Sequence, residues 1–80
     1  MFVKIEGELI NTRDIRGIIP ELSYTGREGC RKTRYDIEIH KCRGNYTVYH
    51  YDTEKKRRDI LENIEDQLEA ANELFLLEDD

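Results

Sequence analysis

Eighty residues, 39% of them charged and 38% hydrophobic, with a net charge of −5, suffice for one domain with a thin core, because a chain this short buries only roughly 60% of its unfolded surface. No run approaches the roughly 20 apolar residues of a membrane span, and the opening Met1-Phe2-Val3-Lys4-Ile5 lacks the charged and apolar regions of a secretory leader, so a cytoplasmic protein is expected. Cys30 and Cys42 form no CxxC pair and His40 and His50 are not spaced as ligands, so free thiols, no metal site and no cofactor are expected.

The net charge conceals a division. Residues 1–58 carry thirteen basic against nine acidic side chains, whereas residues 59–80 carry nine acidic and no basic ones. Two oppositely charged regions favour self-association or a docked partner over non-specific nucleic-acid binding.

Phe2-Val3-Lys4-Ile5 and Leu9-Ile10-Asn11 read as short strands joined at Glu6-Gly7, where glycine permits the positive φ of a tight hairpin. Asn11 to Asp14 is a turn, since Asn and Asp side chains bond nearby backbone N–H groups. A third strand starts at Ile15 and reaches Pro20, which lacks a ladder donor and so marks an edge strand or a bulge; the strand can resume at Leu22. The longest irregular piece, Thr25 to Thr33, sets Gly26 and Gly29 among Arg27, Arg31 and Lys32, with Arg34 just beyond. Freed backbone N–H groups beside several cations can hold a phosphate, although the spacing fits neither a Walker loop nor a dinucleotide fingerprint.

Tyr35 to His40 and Tyr46 to Tyr51 both alternate, and Gly44-Asn45 reads as a two-residue turn between them. That register puts Ile37, Ile39, Tyr46 and Val48 on one face, beneath the helix, with His50 at its end. Asp36, Glu38, His40, Thr47, Tyr49 and Tyr51 then share an exposed face.

The last third, Asp52 to Asp80, reads as one amphipathic helix. Leu61, Ile64, Leu68, Ala71 and Phe75 recur at steps of three and four, which keeps them on one side of a 3.6-residue repeat. Asp52 or Thr53 can cap its start. Lys55 to Arg58 stand at the positive end of the helix dipole and Glu78 to Asp80 at the negative end, an unfavourable order offset by the pairs Glu54–Arg58, Lys55–Asp59 and Arg58–Glu62. The expected fold is α+β: an antiparallel meander of about five strands over residues 1–51, with the helix of residues 52–80 across one face.

The segment from Phe2 to Asn11, followed by Ile15 and Ile18 and later by Gly44, Tyr46 and Val48, resembles small bacterial and phage proteins in which a short strand, a glycine turn and a Leu-Ile-Asn stretch precede a meander and one helix. The flagellar FlbD-type proteins are among them. The resemblance implies the fold and a mobile-element origin, and it carries no catalytic residue. The charged loop at Arg27–Arg34 and the acidic helix end depart from the flagellar pattern.

No nucleophile motif or paired carboxylate points to an enzyme. The reading that follows is a non-enzymatic interaction protein, phage-encoded, that docks onto a host defence or nucleic-acid-handling protein and inhibits or modulates it. Its surface would combine the acidic helix face, Glu62, Glu65, Asp66, Glu69 and Glu73, with Tyr49 and Tyr51, and no direct DNA binding is expected. One alternative is an oligomer that sequesters a phosphorylated small molecule or signalling nucleotide with Arg27, Arg31, Lys32, Arg34, Lys55 and Arg58. Another is a structural or regulatory homodimer.

Overall fold

The first turn follows from two residues in the left-handed region. Glu6 and Gly7 have φ of 50° and 82°, the pattern of a turn whose twist matches its flanking strands. In the computed structural model, which describes residues 1–77, they join β1 (Phe2–Ile5) to β2 (Glu8–Asn11). Alternation then sends Val3 and Ile5 inward, both fully buried, and leaves Phe2 and Leu9 exposed.

A short 3-10 turn, Thr12–Asp14, redirects the chain. The Asn11 side chain accepts from Arg13 N–H at 3.0 Å. The buried Thr12 donates to the Met1 carbonyl from both its backbone N–H, at 2.8 Å, and its hydroxyl, at 3.1 Å. Hydrogen bonding to β2 thus ends here. β3 (Ile15–Thr25), β4 (Lys32–Lys41) and β5 (Tyr46–Tyr51) form a separate antiparallel sheet in the order β3-β4-β5. The five strands are therefore two sheets, not the single meander expected, within the α+β arrangement that was.

Pro20 does not break β3. The β4–β5 ladder opens with Lys41 N–H bonded to Asn45 O at 2.9 Å, and antiparallel bonding alternates from there. Ile39, Ile37 and Tyr35 bond toward β5, while His40, Glu38 and Asp36 bond toward β3. Pro20 faces Ile37, so the place of its missing N–H lies on the free edge, where it interrupts no ladder bond. The register shift between Ile15 and Gly17 is a bulge on the same edge strand.

The β4–β5 connection overturns one expectation. Gly44 sits at φ 91° and its N–H bonds Lys41 O at 3.0 Å. This is a three-residue loop with a glycine bulge, not a two-residue turn. The extra residue pairs positions of like parity: His40 with Tyr46, Glu38 with Val48, Ile37 with Tyr49 and Tyr35 with Tyr51. A one-residue slip moves every side chain to the other face. Tyr49 and Tyr51 therefore turn toward the core and Tyr46 and Val48 away from it. His40 and His50, expected on opposite faces, share the outer one.

α1 (Glu54–Ala70) is capped by Thr53, whose hydroxyl accepts from Lys56 N–H at 3.1 Å. Ile64 and Leu68 are fully buried, with Ile60 and Leu61 packed beside them. Burying each such side chain contributes roughly 1.5–3 kcal/mol. The helix ends earlier than its apolar spacing suggests. Asn72 takes φ 58°, Asn72 N–H bonds Glu69 O at 3.1 Å and Glu73 N–H bonds Leu68 O at 2.8 Å. Those two bonds form a Schellman stop. Leu74–Leu76 are then a 3-10 turn that buries Leu76 and exposes Phe75. The acidic Glu78–Asp80 lie outside the described residues.

Val3, Ile5, Ile15, Ile18, Ile37, Ile39, Tyr51, Ile64, Leu68 and Leu76 make one core between α1, the β1–β2 hairpin and the inner face of the three-stranded sheet.

Candidate interaction surfaces

Two basic segments far apart in sequence meet at one end of the molecule. β3 and β4 run on past the last β5 pair, Tyr35 with Tyr51, so that the hairpin from Ser23 to Arg34 has no third strand. Its loop, Gly26 to Arg31, is exposed throughout. The start of α1 is tied to this hairpin. The Arg57 guanidinium lies 5.4 Å from the Tyr35 ring centroid and donates to Glu21 O at 2.8 Å, and Lys32 lies 3.7 Å from Asp52. The hairpin residues 23–34 and the segment 52–58 together carry eight cations against three carboxylates. Arg34 donates to Ser23 at 3.2 Å, Lys55 pairs with Asp59 and Arg58 with Glu54, each at 3.1 Å. Arg58 thus turns to Glu54, without the expected pair to Glu62. Among the described residues Arg27, Arg31 and Lys56 make no ion pair. All six residues proposed from the sequence for an anion, Arg27, Arg31, Lys32, Arg34, Lys55 and Arg58, belong to this end.

The acidic set divides. Glu62, Glu65, Asp66 and Glu69 are exposed along α1. Glu73 lies past the helix stop, half-buried, with Oε2 enclosed and unbonded, so it does not continue that face.

Tyr49 and Tyr51 are not on an exposed face with the carboxylates. Tyr51 is 6% exposed, and its enclosed hydroxyl lies beside Glu6 without a hydrogen bond of full geometry. Burial, and then the negative Glu6 beside it, pushes its pKa up to about 12. The Tyr49 hydroxyl donates to Glu8 at 3.3 Å; burial first, then the Glu8 charge, raises its pKa. Tyr49 thus ties Glu8 of the β1–β2 hairpin to the sheet.

What the register places on the outer sheet face instead is a row of polar cross-strand pairs. His40 stacks on Tyr46 with centroids 5.3 Å apart and rings 14° from parallel, and its Nε2 is 2.8 Å from Glu38. His50 Nδ1 is 2.7 Å from the buried carboxylate of Asp36. Both cross-strand couples, His40–Tyr46 and Asp36–His50, occupy non-hydrogen-bonded sites, where facing side chains approach most closely. Sequence reasoning missed this grouping because it depends on the loop bulge at Gly44.

A cavity of about 350 Å³ is lined by Asp14, Lys41, Cys42, Arg43 and Asn45, and one of about 260 Å³ by Pro20, Glu21, Leu22 and Arg57. The Cys42 thiol donates to Arg13 O at 3.5 Å; Cys42 and Cys30 are free and exposed. Among the described residues no three His, Cys, Asp or Glu side chains converge as metal ligands, and no helix is long and apolar enough to cross a membrane. The chain matches no known protein family, no curated protein sequence and no solved structure.

Proposed function

We propose that the protein is a small, non-enzymatic interaction protein that engages a phosphate-bearing ligand with its basic end. The supporting observation is the meeting of the β3–β4 hairpin and the start of α1, which gathers eight cations in a chain of net charge −5. Arginine forks and exposed backbone N–H groups around glycine suit phosphate oxygens. The surface is open, so affinity rests on charge and falls with salt. Titration calorimetry with ATP as the probe tests this: binding should be measurable at low salt, weaken as salt rises, and drop at least about 10-fold in Arg31→Ala/Lys32→Ala, the loss of two charge-assisted bonds. Binding that ignores these changes excludes the basic end.

The exposed run Glu62, Glu65, Asp66 and Glu69 on α1 favours a second reading, in which the acidic face docks into a basic groove of a host nucleic-acid-handling protein. The phage-type resemblance accords with it. Charge reversal at Glu65, Asp66 and Glu69 should abolish capture of such a partner from lysate while leaving the melting transition in place. Undiminished capture removes this surface.

A further inference from the structure

Three of the four sheet edges are closed to another strand. On β1, the Gln67 carboxamide takes both backbone groups of Lys4, accepting from N–H at 2.8 Å and donating to O at 2.9 Å. β2 is only four residues long. β3 carries the bulge and Pro20, and Leu77 bridges Ile18. Such devices are how proteins keep edges from pairing.

β5 has none of them. Tyr46-Thr47-Val48-Tyr49-His50-Tyr51 contains no Lys, Arg, Asp, Glu, Gly or Pro, and Tyr, Thr and Val favour strands. By the alternation set at Lys41–Asn45, Thr47, Tyr49 and Tyr51 bond to β4. The N–H and C=O groups of Tyr46, Val48 and His50 point to the free edge. Among the described residues, no backbone hydrogen bond outside the strand ladders reaches them.

We propose that β5 is a homodimer interface, pairing antiparallel with β5 of a second copy about a two-fold axis at Val48. A two-fold axis normal to the sheet requires paired positions of like parity. Centring on Val48 is the one register that pairs all three outward residues within the strand: Tyr46 with the partner's His50, Val48 with the partner's Val48, and His50 with the partner's Tyr46. The second copy fits by chemistry as well as by count. Tyr46 already stacks on a histidine, His40, across β4, and it meets another on the partner. No like-charged side chains are opposed within the strands. The product is a continuous six-stranded sheet, β3-β4-β5 and its symmetry copy, with both β5 edges covered.

Light scattering during size exclusion over a dilution series is the test, read beside amide hydrogen exchange. The native chain should have twice its 9.6 kDa mass, and Tyr46, Val48 and His50 should be as protected as Thr47, Tyr49 and Tyr51. Val48→Pro removes an outward N–H and leaves the β4 ladder untouched, as Pro20 does on β3. It should raise the dimer dissociation constant about 100-fold or more, as expected for two symmetry-related hydrogen bonds lost together. A native chain that stays monomeric, with protection alternating along β5, overturns the proposal even if another protein adds a strand there. So does a dimer that Val48→Pro leaves equally tight. Should that variant not fold, the exchange pattern of the native chain decides alone. Because none of these residues lies in the basic end, loss of the dimer and loss of ATP binding are separable results.

Discussion

Replacing Tyr51 by Phe isolates one hydroxyl. Tyr51 is buried, and the Glu6 carboxylate lies close enough to act on its hydroxyl, yet no hydrogen bond of full geometry forms there. An enclosed polar group left unbonded costs about 1–3 kcal/mol. Tyr51→Phe should therefore be at least as stable as the native chain near pH 7, by up to about 1 kcal/mol after loss of its few favourable contacts. The alkaline limb carries the second half of the prediction. The folded-state pKa is raised from 10.0 to about 12, so across that interval the folded chain holds a proton that the unfolded chain has released. Stability from the neutral phenol is complete below pH 10 and is lost as the pH rises to about 12. The loss should reach about 1–2 kcal/mol once solvent screening is allowed for. Tyr49 is shifted in the same direction but is present in both proteins, so the difference between them reports Tyr51. Urea unfolding of both chains from neutral to strongly alkaline pH measures it. If Tyr51→Phe is destabilised by more than about 1 kcal/mol at neutral pH, the hydroxyl is bonded to Glu6 and the argument from an unmet group fails. Identical alkaline curves would refute the linkage.

Leu68→Ala empties a fully buried position at the centre of the α1 stripe and should cost about 2–5 kcal/mol in the same unfolding assay. Gly44→Ala and Gly26→Ala differ in a way that separates strain from collision. Both sites have positive φ, and each should lose about 1–2 kcal/mol from that alone. A Cβ at Gly44 meets nothing within 4 Å, whereas one at Gly26 falls 2.6 Å from the Cys30 carbonyl oxygen. Gly26→Ala should thus cost more and shift the amide resonances of Arg27 to Arg31, while Gly44→Ala keeps the β4–β5 pairing seen by nuclear Overhauser contacts.

The helix was legible because Leu61, Ile64 and Leu68 repeat at the period of the structure they form, and the first hairpin because Glu6-Gly7 admits one compact turn. The helix stop was hidden. Asn72 belongs by character to the polar face, and only its left-handed backbone, with Leu74 and Phe75 beyond it, turns an apparent continuation into an end. The β4–β5 register was equally ambiguous, since glycine at position 44 serves a two-residue turn and a bulged three-residue loop alike. That single choice decides whether Tyr49 and Tyr51 face solvent or the core, and no local pattern in two strands with mixed faces resolves it. The split into two sheets rests on Thr12 reaching back to Met1, a contact with no sequence signature. The basic end was visible as two charge runs. Their union depends on the length of β4 beyond β5, which brings Tyr35 beneath Arg57.

The pairing of Gln67 with Lys4 bears on the order in which the chain becomes structured. β1 and β2 gain no strand from the three-stranded sheet, and the side chain that completes the β1 edge stands 63 positions later. A two-stranded hairpin of this size is marginal alone in water. During vectorial synthesis the β1–β2 hairpin must therefore wait until α1 has been made, so a segment translated well before the helix becomes ordered only with it.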